Sequence, residues 1–410
     1  MPNDNFLNGF PQMSNQTVID RIVEFNQGRD PELLKLKYKA MSKDAFVFLR
    51  GTCHLFYQDL PVEGVFRSAP PVWSCGDLHL QNFGTFKGDD RLVYFDVNDF
   101  DESLLAPCTW DISRLMTSAI VGAHTLNISD EDALQLCQYF LEIYTKELST
   151  GKDRTVHNEV STGLVKELLT SLKTRKRKDF LDERTEIKGN RRSLKLIEGK
   201  TAPATEDQRQ MVIEAIARCA ESQENPKFYQ VLDVMHRIAG TGSLGLDRYV
   251  ILVEGNGSPN QNYLLDLKAA RPSSLQPYTP YPQPSWSNEA ERITAIQDRF
   301  QESPPALLSP LAIQEKPYVL RELQPTADRV NLESKNGKIK RLKKVIKTMA
   351  EVTAWGQMRS TGRQKSAIAD ELIAFAATAS EWHPNVMDYA RSYAAQVERD
   401  YQEFKIQLSK

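Results

Sequence analysis

The sequence predicts an α+β protein in two lobes, a mostly helical large lobe and a small lobe built on an antiparallel sheet. Three observations predict it. From Val72 to Asp101 the chain carries short β-type runs separated by polar turns. From Trp110 to about Ser222, and again from Lys340 to Lys410, the texture is helical. Between these helical stretches, from about Phe228 to Leu332, lies a second β-rich stretch. A chain of 410 residues is long enough for several cores. We therefore divide it into three parts: residues 1–227, with N-terminal helices, the first β-rich stretch and much of the large lobe; 228–332, the small lobe; and 333–410, helices that complete the large lobe.

Taken in order, Val18 to Asn26 and Pro31 to Met41 carry helical signals, and Ala45–Leu49 is a short apolar segment. Phe83–Phe86 and Leu92–Val97 are apolar runs joined by the turn Lys87-Gly88-Asp89-Asp90, which predicts a hairpin. Ile112, Leu115, Met116 and Ile120, then Leu134, Cys137, Phe140 and Leu141, recur at helical spacing. Pro272 to Pro284 is too rich in proline for a helix or a central strand. Glu289 to Gln301 predicts a helix and Tyr318 to Leu323 a strand.

Composition excludes several classes. The formal net charge of −2 and pI of about 6.4 give no global field for a nucleic acid or a membrane surface. Cys53, Cys75, Cys108, Cys137 and Cys219 are scattered without a Cys-x-x-Cys pair, which argues against a zinc site or a disulfide framework and fits a reducing compartment. Met1–Asn5 has neither the basic nor the apolar part of a signal peptide, and no apolar run reaches the roughly 18 residues of a membrane span. The expectation is a soluble, cytoplasmic protein with no membrane or nucleic-acid partner.

Two constellations carry chemistry. In Gly76-Asp77-Leu78-His79-Leu80-Gln81-Asn82, Asp77 and Asn82 stand five positions apart, the spacing of kinase catalytic loops. One carboxylate there faces the acceptor hydroxyl, and an amide oxygen a turn later ligates a metal. The second run of the hairpin then delivers Asp96, Asn98, Asp99, Asp101 and Glu102. Carboxylates so close repel one another unless a cation neutralises them, and hard oxygen donors suit Mg²⁺. His79 is a supporting residue, and Asp111 is a candidate cap for the helix that follows it.

The second constellation is Gly240-Thr241-Gly242-Ser243-Leu244-Gly245, a G-x-G-x-x-G match. Dinucleotide-binding folds place such glycines at the start of a helix. Here Tyr249–Val253 follows, β-branched and aromatic, and then Tyr263–Lys268, a further strand. Strand, glycine loop, strand, turn and a strand ending in lysine describe the ATP-covering sheet of a kinase small lobe. Glycine N–H groups can approach phosphates closely, and Lys268 would reach the α- and β-phosphates. A glutamate of the following helix, Glu289 or Glu291, could pair with Lys268.

The order is unusual, since the catalytic loop precedes the glycine loop by some 160 residues. Either that order reflects a circularly permuted kinase-like fold, which chain termini lying close together permit, or one of the two constellations is a coincidence. The sequence also resembles the bacterial domain-of-unknown-function family twenty-two fifty-two, grouped with the protein-kinase-like and aminoglycoside-phosphotransferase-like superfamily. The resemblance is carried by Phe48–Gly51, Gly76–Gly84, Asn98–Glu102, Trp110–Leu115, Gly240–Gly245 and Leu267-Lys268-Ala269. It implies that Asp99 is the principal metal-binding aspartate, with Asp96 as a rival, and that Asp111 braces the large lobe. One departure is that Trp355–Ser360 lacks a histidine common in this family's C-terminal helix.

The basic runs Thr174–Lys178 and Lys188–Arg192 could recognise an anionic acceptor, although a solvated helix face accounts for them as well. The expectation is therefore an ATP- and Mg²⁺-dependent phosphotransferase acting on a hydroxyl of a small molecule. Asp77 would be the base, Asn82, Asp99, Asp96 and Asp101 the metal ligands, and Gly240, Thr241, Gly242, Ser243, Gly245, Lys268 and Glu291 the nucleotide site. Alternatives are a protein acceptor, transfer of AMP, a nucleotide-binding regulator without catalysis, and a metal-dependent hydrolase.

Overall fold

A computed structural model describes residues 16–325, 328–332 and 339–408. Met1–Asn5 and the boundary expected near residue 333 lie outside the described residues. Helices open the described chain: α1 (Val18–Phe25), α2 (Pro31–Met41), α3 (Ala45–Gly51), α4 (Cys53–Gln58) and α5 (Val65–Ser68). Their starts are set by side chains. Thr17 and Asp20 form a capping box, Asp30 caps α2 with Pro31 at its first position, and Asp44 accepts the Val47 N–H. The cap at Asp44 turns the apolar segment Ala45–Leu49 into a helix.

The chain then runs through β1 (Pro71–Ser74), β2 (Phe83–Lys87), β3 (Val93–Val97) and β4 (Leu104–Pro107). The expected hairpin is β2–β3, antiparallel, with Phe83 opposite Val97; β1 pairs with β4. There follow α6 (Thr109–Val121), α7 (Ala123–Leu126), α8 (Asp130–Ser149), α9 (Gly163–Thr174) and α10 (Arg177–Asp182). The stretch expected to be helical is interrupted here. β5 (Thr185–Lys188) and β6 (Arg191–Leu194) form a hairpin about Gly189, whose φ of +64° glycine adopts without strain. The second basic run is therefore a hairpin and not a helix face.

Next come β7 (Thr201–Pro203), α11 (Glu206–Ala220), β8 (Val231–Arg237), β9 (Arg248–Val253), β10 (Tyr263–Ala269), α12 (Glu289–Phe300), β11 (Ser309–Ile313) and β12 (Lys316–Glu322). These strands make one antiparallel sheet in the order β11-β12-β10-β9-β8-β7. The chain closes with α13 (Ile339–Arg359), α14 (Ala369–Ala377) and α15 (Ala379–Leu408). The fold is thus α+β, with fifteen α-helices and small antiparallel sheets among the described residues.

The alternation of side chains along a strand sorts the larger sheet's two faces. Tyr249, Ile251, Val253, Leu265 and Leu267 pack on Val212 and Ile216 of α11. The opposite face carries Leu264, Asp266 and Lys268 in turn along β10. Leu264 packs there with Leu181, Leu194 and Leu323. A larger core joins α3, α4, α6, α8, α12, α13 and α15 to β1–β4. No helix among the described residues is long and apolar enough to cross a membrane.

Candidate functional site

The floor of the site is the chain between β1 and β4. Asp111, on the first turn of α6, accepts the Cys75 N–H and the Gly76 N–H, each at 3.0 Å. Gly76 has φ +82°, and a Cβ there would lie 2.2 Å from the Glu102 carbonyl oxygen, so only glycine allows the two segments to approach. The Asn98 N–H donates to the Asn82 carbonyl at 2.9 Å. The Asn82 amide in turn donates to the carbonyls of Asp77 at 3.0 Å and Asp99 at 3.3 Å. These bonds lock Asp77, Asn82 and Asp99 together through the Asn82 amide nitrogen, and among the described residues no donor reaches Asn82 Oδ1.

Asp77 Oδ1 accepts from Arg114 Nε at 2.6 Å, and Arg114, fully buried on α6, also donates to the Leu49 carbonyl at 3.0 Å. Burial raises the Asp77 pKa above its ordinary value, and Arg114 opposes that rise. Asp99 differs. Burial opposes its ionisation, but Lys268 with Arg321 and Arg329 outweighs that and holds its carboxyl well below the usual range.

The roof is the sheet face bearing Lys268. Its ammonium forms an ion pair with Asp101 and lies 3.7 Å from Asp99 Oδ1. Behind it Asp266, 1% exposed, is gripped by Arg248 Nε at 2.8 Å and Arg237 Nη1 at 2.7 Å, with Arg321 Nε at 3.7 Å. The glycine loop between β8 and β9 is clasped by the N-terminal helices. Arg29 Nη1 donates to the Gly242 carbonyl at 2.7 Å and to that of Leu244 at 3.2 Å. Lys37 Nζ donates to the Gly242 carbonyl at 3.1 Å, and the Asp30 N–H to the Gly245 carbonyl at 3.0 Å.

Floor and roof enclose a cavity of about 270 Å³. Asp77, Asn82, Asp99, Asp101, Gly240, Thr241, Gly242, Ser243 and Lys268 all line it. Gly245 stands behind the loop against Arg29. Two further expected residues are not brought there. Asp96 Oδ1 accepts the Val97 N–H at 2.7 Å, outside the cavity lining, and burial pushes its pKa up to about 7. Glu291 accepts the Ser287 N–H at 2.6 Å at the start of α12, so the partner of Lys268 is Asp101 and not a helix glutamate. The neighbouring Glu289 pairs with Arg292.

Among the side chains with oxygen donors that line the cavity are Asn82, Asp99 and Asp101. That set fits Mg²⁺, which takes one or two protein carboxylates and completes its octahedron with phosphates and water. Four cationic cavity residues had escaped the sequence reading as functional residues: Arg29, Arg50, Arg271 and Arg329. Arg114, beneath Asp77, had escaped it as a functional residue too. Arg50 and Arg114 do fall inside stretches that carry the family resemblance, which was the available signal.

The chain belongs to the family described as an uncharacterized protein conserved in bacteria (DUF2252), whose model matches residues 29–407. No curated protein and no solved structure matches it.

Proposed function

We propose that this protein transfers a phosphorus-containing group from Mg²⁺-ATP to a hydroxyl, on a circularly permuted kinase-like scaffold. One observation carries the reading. A loop at residues 77–82, an aspartate at 99 and a glycine loop and lysine at 240–268 come from distant parts of the chain and line a single cavity. The sheet supports it as well: the lysine strand β10 stands between β9 and β12, and α12 separates β10 from β11 in sequence, as expected of a kinase small lobe.

In this reading Asp77 orients the acceptor hydroxyl and takes its proton, while Arg114 holds the carboxylate in place. Lys268 exchanges Asp101 for phosphate oxygens when nucleotide enters. Asn82, Asp99 and Asp101 would hold Mg²⁺, which would neutralise charge on the phosphates. The remaining work is positioning in a closed cleft. Thermal unfolding tests it. Mg²⁺-ATP should raise the Tm of the intact protein, EDTA should remove the gain, and Lys268→Ala and Asp99→Asn should each abolish it. A wild-type protein indifferent to Mg²⁺-ATP would sink the proposal.

A further inference from the structure

The two ends of the cavity differ in what they can hold. A purine is bound between apolar faces. At the end nearest residues 323–325 the described residues of the Lys268-bearing sheet face leave none free. On the roof, Leu264 is covered by Leu181, Leu194 and Leu323, and the next residue on that face is Asp266 in its ring of arginines. On the floor, the segment Asp328–Arg329 lies directly over Gly84. A Cβ at Gly84 would meet the Asp328 carbonyl at 2.4 Å and Arg329 Cα at 3.0 Å. The Val330 N–H is bonded to the Phe83 carbonyl at 2.9 Å, which fixes that segment.

What this end offers instead is positive charge. Arg329 lines the cavity, and its guanidinium makes no hydrogen bond or ion pair with the described residues. Arg50 lines it too, donates from Nη1 to Gln81 Oε1 at 2.6 Å, and keeps a buried Nε with no partner. Burial and the nearby Arg329 push the Arg50 pKa down to about 10. Two half-buried guanidinium groups set beside each other, with donors to spare, favour a polyanion between them.

The opposite end offers apolar surface as well as charge. Phe25, Leu246, Ala269 and Pro272 line it. Of the cations there, Arg29 and Lys37 spend donors on the carbonyls of Gly242 and Leu244 and on Asn26 Oδ1, Arg29 keeps a buried Nε with no partner among the described residues, and Arg271 lines the cavity beside them. Lys268 joins the two sets of cations through its carboxylate partners, Asp99 within the field of Arg329 and Asp101 within that of Arg29.

We infer that the nucleotide lies with its base at the Phe25–Leu246–Pro272 end and its β- and γ-phosphates on Arg50 and Arg329, so that the α-phosphate faces Asp77 and the group transferred is nucleotidyl. This rests on the ATP-dependent reading above and names its transferred group. The acceptor oxygen forms a bond to the α-phosphorus while the bond from that phosphorus to the bridging oxygen of the β-phosphate breaks. Asp77 receives the hydroxyl proton, and pyrophosphate leaves on the two arginines.

Binding and product analysis on the full chain test it. With Mg²⁺ present, inorganic tripolyphosphate should bind, and Arg329→Ala should weaken both tripolyphosphate and ATP at least ten-fold. Leu246→Asp should weaken ATP and leave tripolyphosphate unchanged. With water as the surrogate acceptor, prolonged incubation with Mg²⁺-ATP should yield AMP and pyrophosphate. Release of ADP and phosphate, or no AMP from a protein that binds Mg²⁺-ATP, overturns the inference. So does ATP binding that needs Lys268 but ignores Arg329→Ala. A wild-type protein that binds neither ATP nor tripolyphosphate instead overturns the broader proposal.

Discussion

Floor and roof of the cavity are held by different forces. The floor is set by hydrogen bonds to backbone: Asp111 to two amides, Asn82 to two carbonyls, Arg114 to the Leu49 carbonyl. The roof is set by charge, through Asp266 and its arginines, Lys268 with Asp101, and the clasp on Gly242. Backbone-anchored groups have little freedom to adjust. Ion pairs can exchange partners, and an incoming polyanion offers the roof new ones. Under the proposed function, the floor is a fixed surface and the roof a cover whose ion pairs change partners when a polyanion enters.

The largest expected effect is on the floor. Asp77→Asn should cost turnover roughly 10²–10⁴-fold while Mg²⁺-ATP still binds, as product assays and titration calorimetry would show. Equal turnover in that variant would remove Asp77 from its role. On the roof, Asp266→Asn leaves arginines buried without their counter-charge and should cost roughly 3–5 kcal/mol in denaturant unfolding. An unchanged midpoint would mean that the sheet does not depend on that charge.

A third test lies just outside the cavity. The Asp96 pKa is raised in the folded state from 3.8 to about 7, so its contribution is fully present below about pH 3.8 and is lost as pH rises through about 7. Asp96→Asn keeps an acceptor for the Val97 N–H without that penalty. At pH 8 it should be more stable than the wild type by up to roughly 4 kcal/mol, with the gap closing toward pH 4. A constant gap across that range would count against a buried, late-ionising carboxylate. The smallest effect is expected for Arg29→Ala, which removes one strand of the clasp. Amide hydrogen exchange at Gly242–Gly245 should quicken several-fold with global stability changed by only about 1 kcal/mol.

The parts of this arrangement that the sequence made legible are those with local signatures. The hairpin about Gly88, the spacing of Asp77 and Asn82, and the strand ending at Lys268 each follow from residues within a few positions of one another. What escaped depends on distance. Nothing near Lys268 says that Asp101 will take it, because that pairing crosses from the β3–β4 connection to the larger sheet. Glu291 looked equally suitable until Ser287 claimed its carboxylate one turn away. Asp96 and Asp99 share one strand end, and only the fold decides which faces the cavity. Arginines were the hardest to place. Arg29, Arg50 and Arg329 have long side chains whose use is set by tertiary packing, and no spacing rule governs them. The β5–β6 hairpin was lost differently, because Gly189-Asn190 sat inside a basic run that seemed to continue a helix.

The position of α15 carries a consequence for how the site comes into being. This helix, residues 379–408, lies across α6 and α3, the two elements that hold Arg114 and Arg50. Synthesis therefore produces the floor early, the roof some 160 residues later, and the buttress behind the floor later still. Until that buttress has emerged, Phe48 lacks its neighbours Tyr401 and Phe404, and Phe56 lacks Tyr389 and Tyr393. A nascent chain thus carries every residue of the cavity well before it can hold them in place, and the assembled cavity should appear late and abruptly.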